Sequence, residues 1–470
     1  MGGEFHDTVV RSTDPPVTWS LPANRWWGGP HLPHRANRPA VRLIVSADGR
    51  GCRRFVVVMT QLPIPVPADV ERWVAQHLLE LSCDDEVQRS ARFMGTQAEA
   101  DEALAALDIL GYARRRNEVL PEAARGATAL SPYIRHGLLT LPEVSASVAT
   151  APSKDRQKFR DELMWQEYAR HVYARLGEHT QHSLRFEPAV DDPGRPSGDA
   201  WDRSMACLDA ALGELERDGW LVNQTRMWLA SQWTVRHGRA WRDGEDRFFA
   251  QLLDGSRAAN RLGWQWTIGA GTGKPYGFSQ WQVAKRAPGL CEECARRDAC
   301  PIEDWPPERQ LTAVDEDRRL RIDPDVEATA GPLDVRTTAA PDTVWLTAES
   351  LGDADPALAA HSDAPVVFVF DEPLLRHLRL ASKRLVFLTE RLAELATTRD
   401  VEIHLGDPTV VLAGRKLATT FTPVPKARKL RAALDVAELH PWPWLVRPTS
   451  GSVQSFSAWR RGRGTATLTR

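Results

Sequence analysis

Apolar positions along this chain follow two rhythms. From Thr96 to about residue 260 they recur at helical spacing, broken at proline-rich stretches such as Glu187 to Ser197. Thr96-Gln97-Ala98-Glu99 is a capping-box sequence, and it predicts a helix carrying Leu104, Leu107 and Leu110 on one face. After residue 340 the rhythm changes. Thr343–Thr347, Val366–Phe370 and Val401–Leu405 read as strands, with an amphipathic helix over Ala381–Ala396 between the second and third. Strands alternating with helices predict a parallel α/β sheet. The expected architecture is therefore multi-domain, with a mainly α-helical unit over residues 91–306 and a Rossmann-like α/β unit over 341–440. Residues 307–340 are charged and aperiodic, which predicts a linker.

The two ends carry weaker patterns. Residues 1–90 form an N-terminal extension to which no function is assigned. Within it, Pro15 to Pro39 reads as an irregular wrapping segment, Phe55–Met59 as a buried strand and Asp69–Leu81 as a helix. Residues 441–470 are expected to form a basic tail: from Trp442 onward the chain has five Arg, three Trp and no acidic residue.

Composition narrows the function classes. A chain of 470 residues has room for two or three domains. Its net charge of −2 provides no global basic field, so any nucleic-acid surface has to be local. No apolar run reaches transmembrane length and the N-terminus lacks a signal-peptide core, which predicts a cytoplasmic protein without a membrane partner. Eighteen Trp against five Tyr fits a protein built around aromatic stacking.

Six cysteines in such a protein do not suggest a disulfide framework. Cys52 and Cys83 stand alone and are read as structural. Cys291, Cys294 and Cys300 fall within ten residues, followed by Pro301, and Cys207 lies upstream. Clustered thiolates suit a soft metal, either zinc or an iron–sulfur cluster, and spacing does not separate the two.

The densest chemistry lies in Leu253–Trp266, where Asp254-Gly255 precedes Ala258-Ala259-Asn260 and two tryptophans flank one glutamine. Upstream lie Trp241-Arg-Asp-Gly-Glu245 and Asn223-Gln-Thr-Arg226-Met227. These phrases, in this order and without gaps, resemble the flavin-binding domain of the photolyase/cryptochrome family. Glu162-Leu-Met-Trp165 resembles the family's Glu-Leu-x-Trp helix. Tyr112 and Leu130-Ser131-Pro132-Tyr133 resemble the segment that wraps the flavin phosphates. The resemblance covers roughly residues 91–305.

It implies FAD held by Tyr112, Thr128, Leu130, Ser131, Asn223, Arg226, Asp254 and Asn260, with Arg226 and Asp254 as an ion pair over the ring and Asn260 facing its reactive nitrogen. It implies damaged DNA as the partner of a monomer. Glu162, Trp165, Asn223, Met227 and Trp266 then match the positions that touch a cyclobutane pyrimidine dimer. Trp165 and Trp266 would sandwich the flipped bases, while Glu162 and Asn223 would bond their polar edges. Trp264 matches the inner and Trp241 the middle member of the family's photoreduction chain. The outer position falls near Phe186 or Pro188, and Trp201 is the candidate substitute. Met205-Ala206-Cys207-Leu208 and the later thiols resemble the bacterial iron–sulfur branch, which implies a [4Fe-4S] cluster on Cys207, Cys291, Cys294 and Cys300, with zinc as the alternative.

The C-terminal half resembles the family's antenna domain through Leu351-Gly-Asp-Ala-Asp-Pro-Ala-Leu358, Asp371 and Gly406-Asp407-Pro408. In the family that domain comes first; here it comes last, so the chain order resembles a circular permutation. No antenna chromophore is identified. Other departures bear on activity. Gln166 and Gln224 stand where the family has phosphate-gripping arginines, Ala129 replaces the flavin-phosphate Arg, and Ser256 replaces an Asp. The expected function is light-driven repair of cyclobutane dimers, a carbon–carbon lyase reaction. A cryptochrome-like sensor without repair and a (6-4) photolyase are the alternatives. The paired histidines of (6-4) repair are missing, since Leu221-Val222 precede Asn223.

Overall fold

The computed structural model describes residues 40–48, 51–191, 201–306 and 308–462. Among the described residues, ten strands form two sheets: β1 (Ala40–Asp48), β2 (Gly51–Leu62), β3 (Phe186–Pro188), β4 (Leu311–Ala313), β5 (Arg336–Thr337), β6 (Thr343–Leu346), β7 (Val366–Asp371), β8 (Val401–Gly406), β9 (Leu417–Thr420) and β10 (Val436–His440).

The expected α/β sheet is present. Its parallel part runs β8-β7-β6-β9-β10, so the chain winds outward from β6 in both directions. Its centre is apolar on both faces: Val344, Leu346, Val366, Val367, Phe368 and Ile403 are all buried, as a sheet covered on two sides requires. Antiparallel strands from outside the predicted unit extend both edges. β2 joins β8, with Gln61 opposite His404, and β1 folds back on β2; β5 joins β10, with Thr337 opposite Glu438.

Those edges correct the predicted boundaries. The N-terminal extension supplies β1 and β2, and its helix Val70–His77 buries Trp73 and Val74 in the core shared with the sheet. Residues 1–39, including Pro15 to Pro39, lie outside the described residues. The predicted linker is packed structure. Besides β4 and β5 it forms the helix Val326–Ala330, and it buries Asp323, whose carboxylate meets Arg175 Nε at 3.1 Å.

The predicted basic tail is also folded as far as Gly462. Ser455 Oγ accepts Ala458 N–H at 3.1 Å to cap the helix Phe456–Arg461. Trp459 is buried and donates Nε1–H to His171 Nδ1 at 3.0 Å. Arg447 is spent on the Pro332 carbonyl at 2.9 Å, so it is not a free cation of a tail. Residues 463–470 lie outside the described set.

The helix after Thr96 is shorter than its pattern. Thr96 Oγ1 caps Glu99 N–H at 3.3 Å, but the helix ends at Ala105 and leaves Leu110 exposed. Asp108 accepts Leu110 N–H at 2.7 Å, a local turn that competes with another helical turn.

One helix, Ser382–Leu395, joins the two halves. It is buried almost throughout, because one side covers the sheet and the other meets the helical region. Its first two cations meet groups of the helical half: Lys383 Nζ donates to Glu216 O at 2.6 Å and to Gln251 Oε1 at 3.1 Å, and Arg384 Nη2 to Gly255 O at 2.8 Å. A single apolar core runs from Leu62 through Leu163, Phe249 and Leu253 to Phe387 and Ala418, across the predicted boundaries at 306 and 340. No described helix is long and apolar enough to cross a membrane.

Candidate flavin and DNA-lesion site

Asp254 sits in a loop that both halves of the chain hold. Leu253 N–H donates to Gly219 O at 2.8 Å, and His136, fully buried, places its ring nitrogens 2.8 Å from Ala348 O and 3.0 Å from Leu253 O. Burial, then the charges of Arg135 and Arg384, push His136 well below the usual imidazole range. Arg135 Nε and Arg384 Nη2 converge on Gly255 O at 2.7 and 2.8 Å. Residue 255 has to be glycine, since a Cβ there would lie 2.6 Å from Arg384 Nη1 and 2.9 Å from Leu252 O. Burial, then Arg135, lowers the Arg384 guanidinium to about 9.

This loop presents Asp254 to Arg226 on the helix Asn223–Ala230. The pair is bidentate, at 3.1 and 2.7 Å, and Arg226 Nε also donates to Leu221 O at 3.0 Å. On the next helix, Arg257–Thr267, Asn260 is buried. Its Nδ2 has no hydrogen-bond partner among the described residues. A buried amide donor left unmade costs about 1–3 kcal/mol, so this one calls for an acceptor supplied by a ligand. A flavin ring edge is of that chemistry, so the residues present fit the cofactor.

The remaining expected flavin contacts lie upstream. Tyr112 is buried, with its ring edge-on to Phe159 at 5.1 Å; burial, then the nearby charge of Glu162, raises its phenol. Thr128 is half-buried and Leu130 fully buried. Ser131 Oγ accepts Trp220 Nε1–H at 2.9 Å and opens the short helix Ser131–Arg135. Before it, Ala129 holds φ at 57°, a left-handed conformation that is costly for a residue with a side chain.

Of the five expected lesion contacts, Glu162 and Trp165 share one face of the long helix Ser153–Leu176. Glu162 is half-exposed and ion-paired to Lys158 at 2.9 Å and Arg116 at 3.3 Å. Trp165 leans edge-on against Tyr168 at 6.0 Å. Asn223 is exposed at the start of its helix and Met227 is half-buried one turn on. Trp266 is 42% exposed, so part of the indole is accessible for stacking. Its inner side rests on Tyr276 at 5.9 Å, and the Tyr276 hydroxyl accepts Gln224 Nε2–H at 2.8 Å. Trp266 is thereby tied to the residue after Asn223. Sequence reading missed Tyr276, and it read Gln224 only as a lost arginine. A Tyr ten residues past the paired tryptophans carries no motif of its own.

The expected indoles Trp264, Trp241 and Trp201 lie in one cluster, together with Trp233. Trp264 is buried, edge-on to Phe248 at 5.8 Å. Gly244 lies between Trp264 and Trp233: a Cβ there would come within 2.3 Å of one ring and 2.9 Å of the other. Trp233 in turn lies 4.9 Å from half-buried Trp201. Gly244 thus separates Trp264 from the Trp233–Trp201 pair, and Phe248 lies between Trp264 and Trp201, at 5.8 and 6.3 Å. Trp241 is buried in the same cluster, under Arg242 at 5.2 Å. Trp233 had no family phrase to mark it; it sits where the Asn223 helix widens into a π-helical turn, Ser231–Arg236. Phe186 belongs to β3 instead, beside Gly273.

The four expected cysteine ligands come together. Cys207 opens the helix Ala206–Asp218, and with Cys291, Cys294 and Cys300 it lines one cavity walled by Met205, Val283, Leu290 and Ile302. Ala206 N–H donates to Cys294 Sγ at 3.4 Å. Burial, then the three other thiols, push Cys207 up to about 12. Cys83 is exposed and lies apart; the Cys52 side chain lies outside the described set.

Residues 159–287 match the family described as the FAD binding domain of DNA photolyase. A deoxyribodipyrimidine photo-lyase of Vibrio cholerae is 31% identical over 166 residues, 33% of this chain and 35% of that protein. One from Thermus thermophilus is 28% identical over 295 residues, 54% of this chain and 69% of that protein. The crystal structure of a bacterial class III photolyase from Agrobacterium tumefaciens is similar over 43% of this chain and 44% of its own, at 26% identity and a TM-score of 0.35. The first of these matches thus spans about a third of the curated relative's length. Residues 159–287 are thus similar to the FAD binding domain of DNA photolyase.

Proposed function

We propose that this protein is a photolyase that splits cyclobutane pyrimidine dimers in DNA under blue light, acting as a cytoplasmic monomer. The observation that carries the reading is the bidentate Arg226–Asp254 pair with the unpartnered Asn260 amide on the following helix. FAD would be held there, with Tyr112, Thr128, Leu130, Ser131 and Asn223 completing its surroundings. When bound and reduced, the flavin supplies an electron to the dimer on absorbing light and recovers it after the ring opens.

The chain's own residues supply the rest. Arg226 would offer positive charge to the flavin, with Asp254 fixing the guanidinium's direction. Asn260 donates to the ring edge. The exposed Trp266, backed by Tyr276, and Trp165 stack the extruded bases, with Met227 against them. Asn223 and Glu162 bond the polar edges, Glu162 after leaving Lys158 and Arg116. Those two cations, with Lys154, line a shallow groove that also includes Ser153, Gln157 and Asp161. The groove gives phosphates a local anchor where Gln166 and Gln224 replace arginines. Trp264 relays electrons inward, with Trp241 and Trp233 next to it and Trp201 outermost.

At the cysteine site, where the four thiols line one cavity, we read a [4Fe-4S] cluster ahead of zinc, because Met205-Ala206-Cys207-Leu208 and the later thiols resemble the iron–sulfur branch. The C-terminal sheet, read as a permuted antenna domain, would sit beside the flavin half with no assigned chromophore.

A sensor without repair is the second reading, favoured by Glu162 being ion-paired and by the missing phosphate arginines. Light-dependent disappearance of cyclobutane dimers from a short duplex, lost in Trp266→Ala and Asn223→Ala, tests the proposal. Equal repair by both variants would overturn the lesion site.

A further inference from the structure

His361, Glu438 and His440 form a three-residue cluster in the α/β half, away from the thiols and the Arg226–Asp254 pair. Glu438 and His440 lie two apart on β10, so both point to the same face. A register shift between Val436 and Glu438 precedes them, the kind of irregularity that re-aims side chains at strand ends. His361 comes from the chain just after the helix Pro356–Ala360, which packs over that face. Both imidazoles direct Nε2 at a single oxygen, Glu438 Oε1, at 2.7 Å from His361 and 2.5 Å from His440. The rings stand perpendicular, 5.8 Å apart. All three donor atoms lie within 4.8 Å of one another. Thr337 Oγ1, from β5, reaches the other carboxylate oxygen at 3.5 Å, and the His440 backbone carbonyl accepts Phe421 N–H at 2.9 Å. The Thr337 contact orients the carboxylate, as supporting partners do around metal ligands, and the Phe421 bond fixes the strand at His440.

We propose that this cluster is a divalent-metal site of zinc class, with His361 Nε2, His440 Nε2 and one Glu438 oxygen as ligands and water in the fourth position. Two imidazoles and one carboxylate are the borderline donor set that zinc prefers and magnesium does not. Bonds of about 2.0–2.2 Å around a tetrahedral ion place donors roughly 3.3 Å apart, so the triad opens by several tenths of an ångström, within reach of side-chain rotation. His440 is nearly buried, whereas the His361 side chain is 23% exposed. The open position therefore faces the His361 side, where water has access. The ion clamps the outer parallel strand to the segment after the Pro356–Ala360 helix. None of this depends on flavin or on repair.

The test uses the full chain, freed of metal with a chelator and titrated with Co2+, then Zn2+. One equivalent of Co2+ is expected to give weak visible bands without sulfur charge transfer, to be displaced by Zn2+, and to persist in Cys294→Ser. His361→Ala and Glu438→Gln should weaken that binding by about 100-fold or more. Far-UV circular dichroism confirms that the variants fold. His361, partly exposed, is the variant expected to fold like the parent. A parent chain with no nitrogen/oxygen-type cobalt spectrum overturns the proposal, as does a folded His361→Ala that binds Co2+ as the parent does.

Discussion

Arg226 and Asp254 meet through two parallel hydrogen bonds, Nη1 to Oδ1 at 3.1 Å and Nη2 to Oδ2 at 2.7 Å. The carboxylate is nearly buried while the guanidinium keeps a fifth of its surface. Removing the acid leaves a largely enclosed cation without its partner. Asp254→Ala should therefore lower stability by about 3 kcal/mol in urea unfolding and reduce the flavin retained on purification. An unchanged midpoint with full flavin content would show that the pair carries neither role.

The indoles around Gly244 give a kinetic prediction. Trp264→Phe should slow flavin photoreduction sharply. Trp233→Phe should slow it to a similar degree, because Trp233 lies across Gly244 from Trp264 and beside Trp201. If Trp241→Phe alone blocks photoreduction and Trp233→Phe does not, electrons pass through Trp241 as the family resemblance implies.

Asp355 links stability to pH in the α/β half. Burial pushes its carboxyl up to about 7, against hydrogen bonds from Leu358 N–H, the Thr420 hydroxyl and Ala357 N–H. A folded-state value above the unfolded one means that the folded chain holds this proton more tightly. The contribution is complete below about pH 4 and is lost as pH rises through about 7. Unfolding free energy should therefore fall by a few kcal/mol between pH 5 and pH 8, and Asp355→Asn should flatten that slope. An identical slope in the variant would assign the dependence to other groups.

The cysteine cavity yields a composition measurement. Anaerobically purified protein should carry about four irons and matching acid-labile sulfide per chain, and Cys207→Ser should lose both. Zinc without sulfide would make the site a structural zinc centre.

Much of this was legible from residues alone, for identifiable reasons. The phrases from Asn223 to Trp266 brought Arg226 and Asp254 forward as a pair, and the two do meet. β6 to β8 were readable because a sheet covered on both faces needs continuous apolar runs such as Val366–Phe370. Partnership was not readable. β2 and β5 pair with strands far away in sequence, and nothing local in Gln61 or Thr337 names His404 or Glu438 as the residue opposite. The terminal segment around Trp459 looked like a tail because its burial depends on His171 and Glu167 of a distant helix. Trp233 was missed for the same reason, since only the fold brings it to Gly244.

Repair of defined lesions in one illuminated sample tests the central claim most directly. The flavin is reduced, then the protein is mixed with oligonucleotides carrying either a cyclobutane dimer or a (6-4) product. Flavin absorbance and lesion loss are followed together under blue light and in the dark. The account predicts light-dependent loss of the cyclobutane dimer, no loss in the dark and an untouched (6-4) product. Intact flavin photochemistry with neither lesion repaired would contradict it and leave a light sensor built on a repair enzyme's fold.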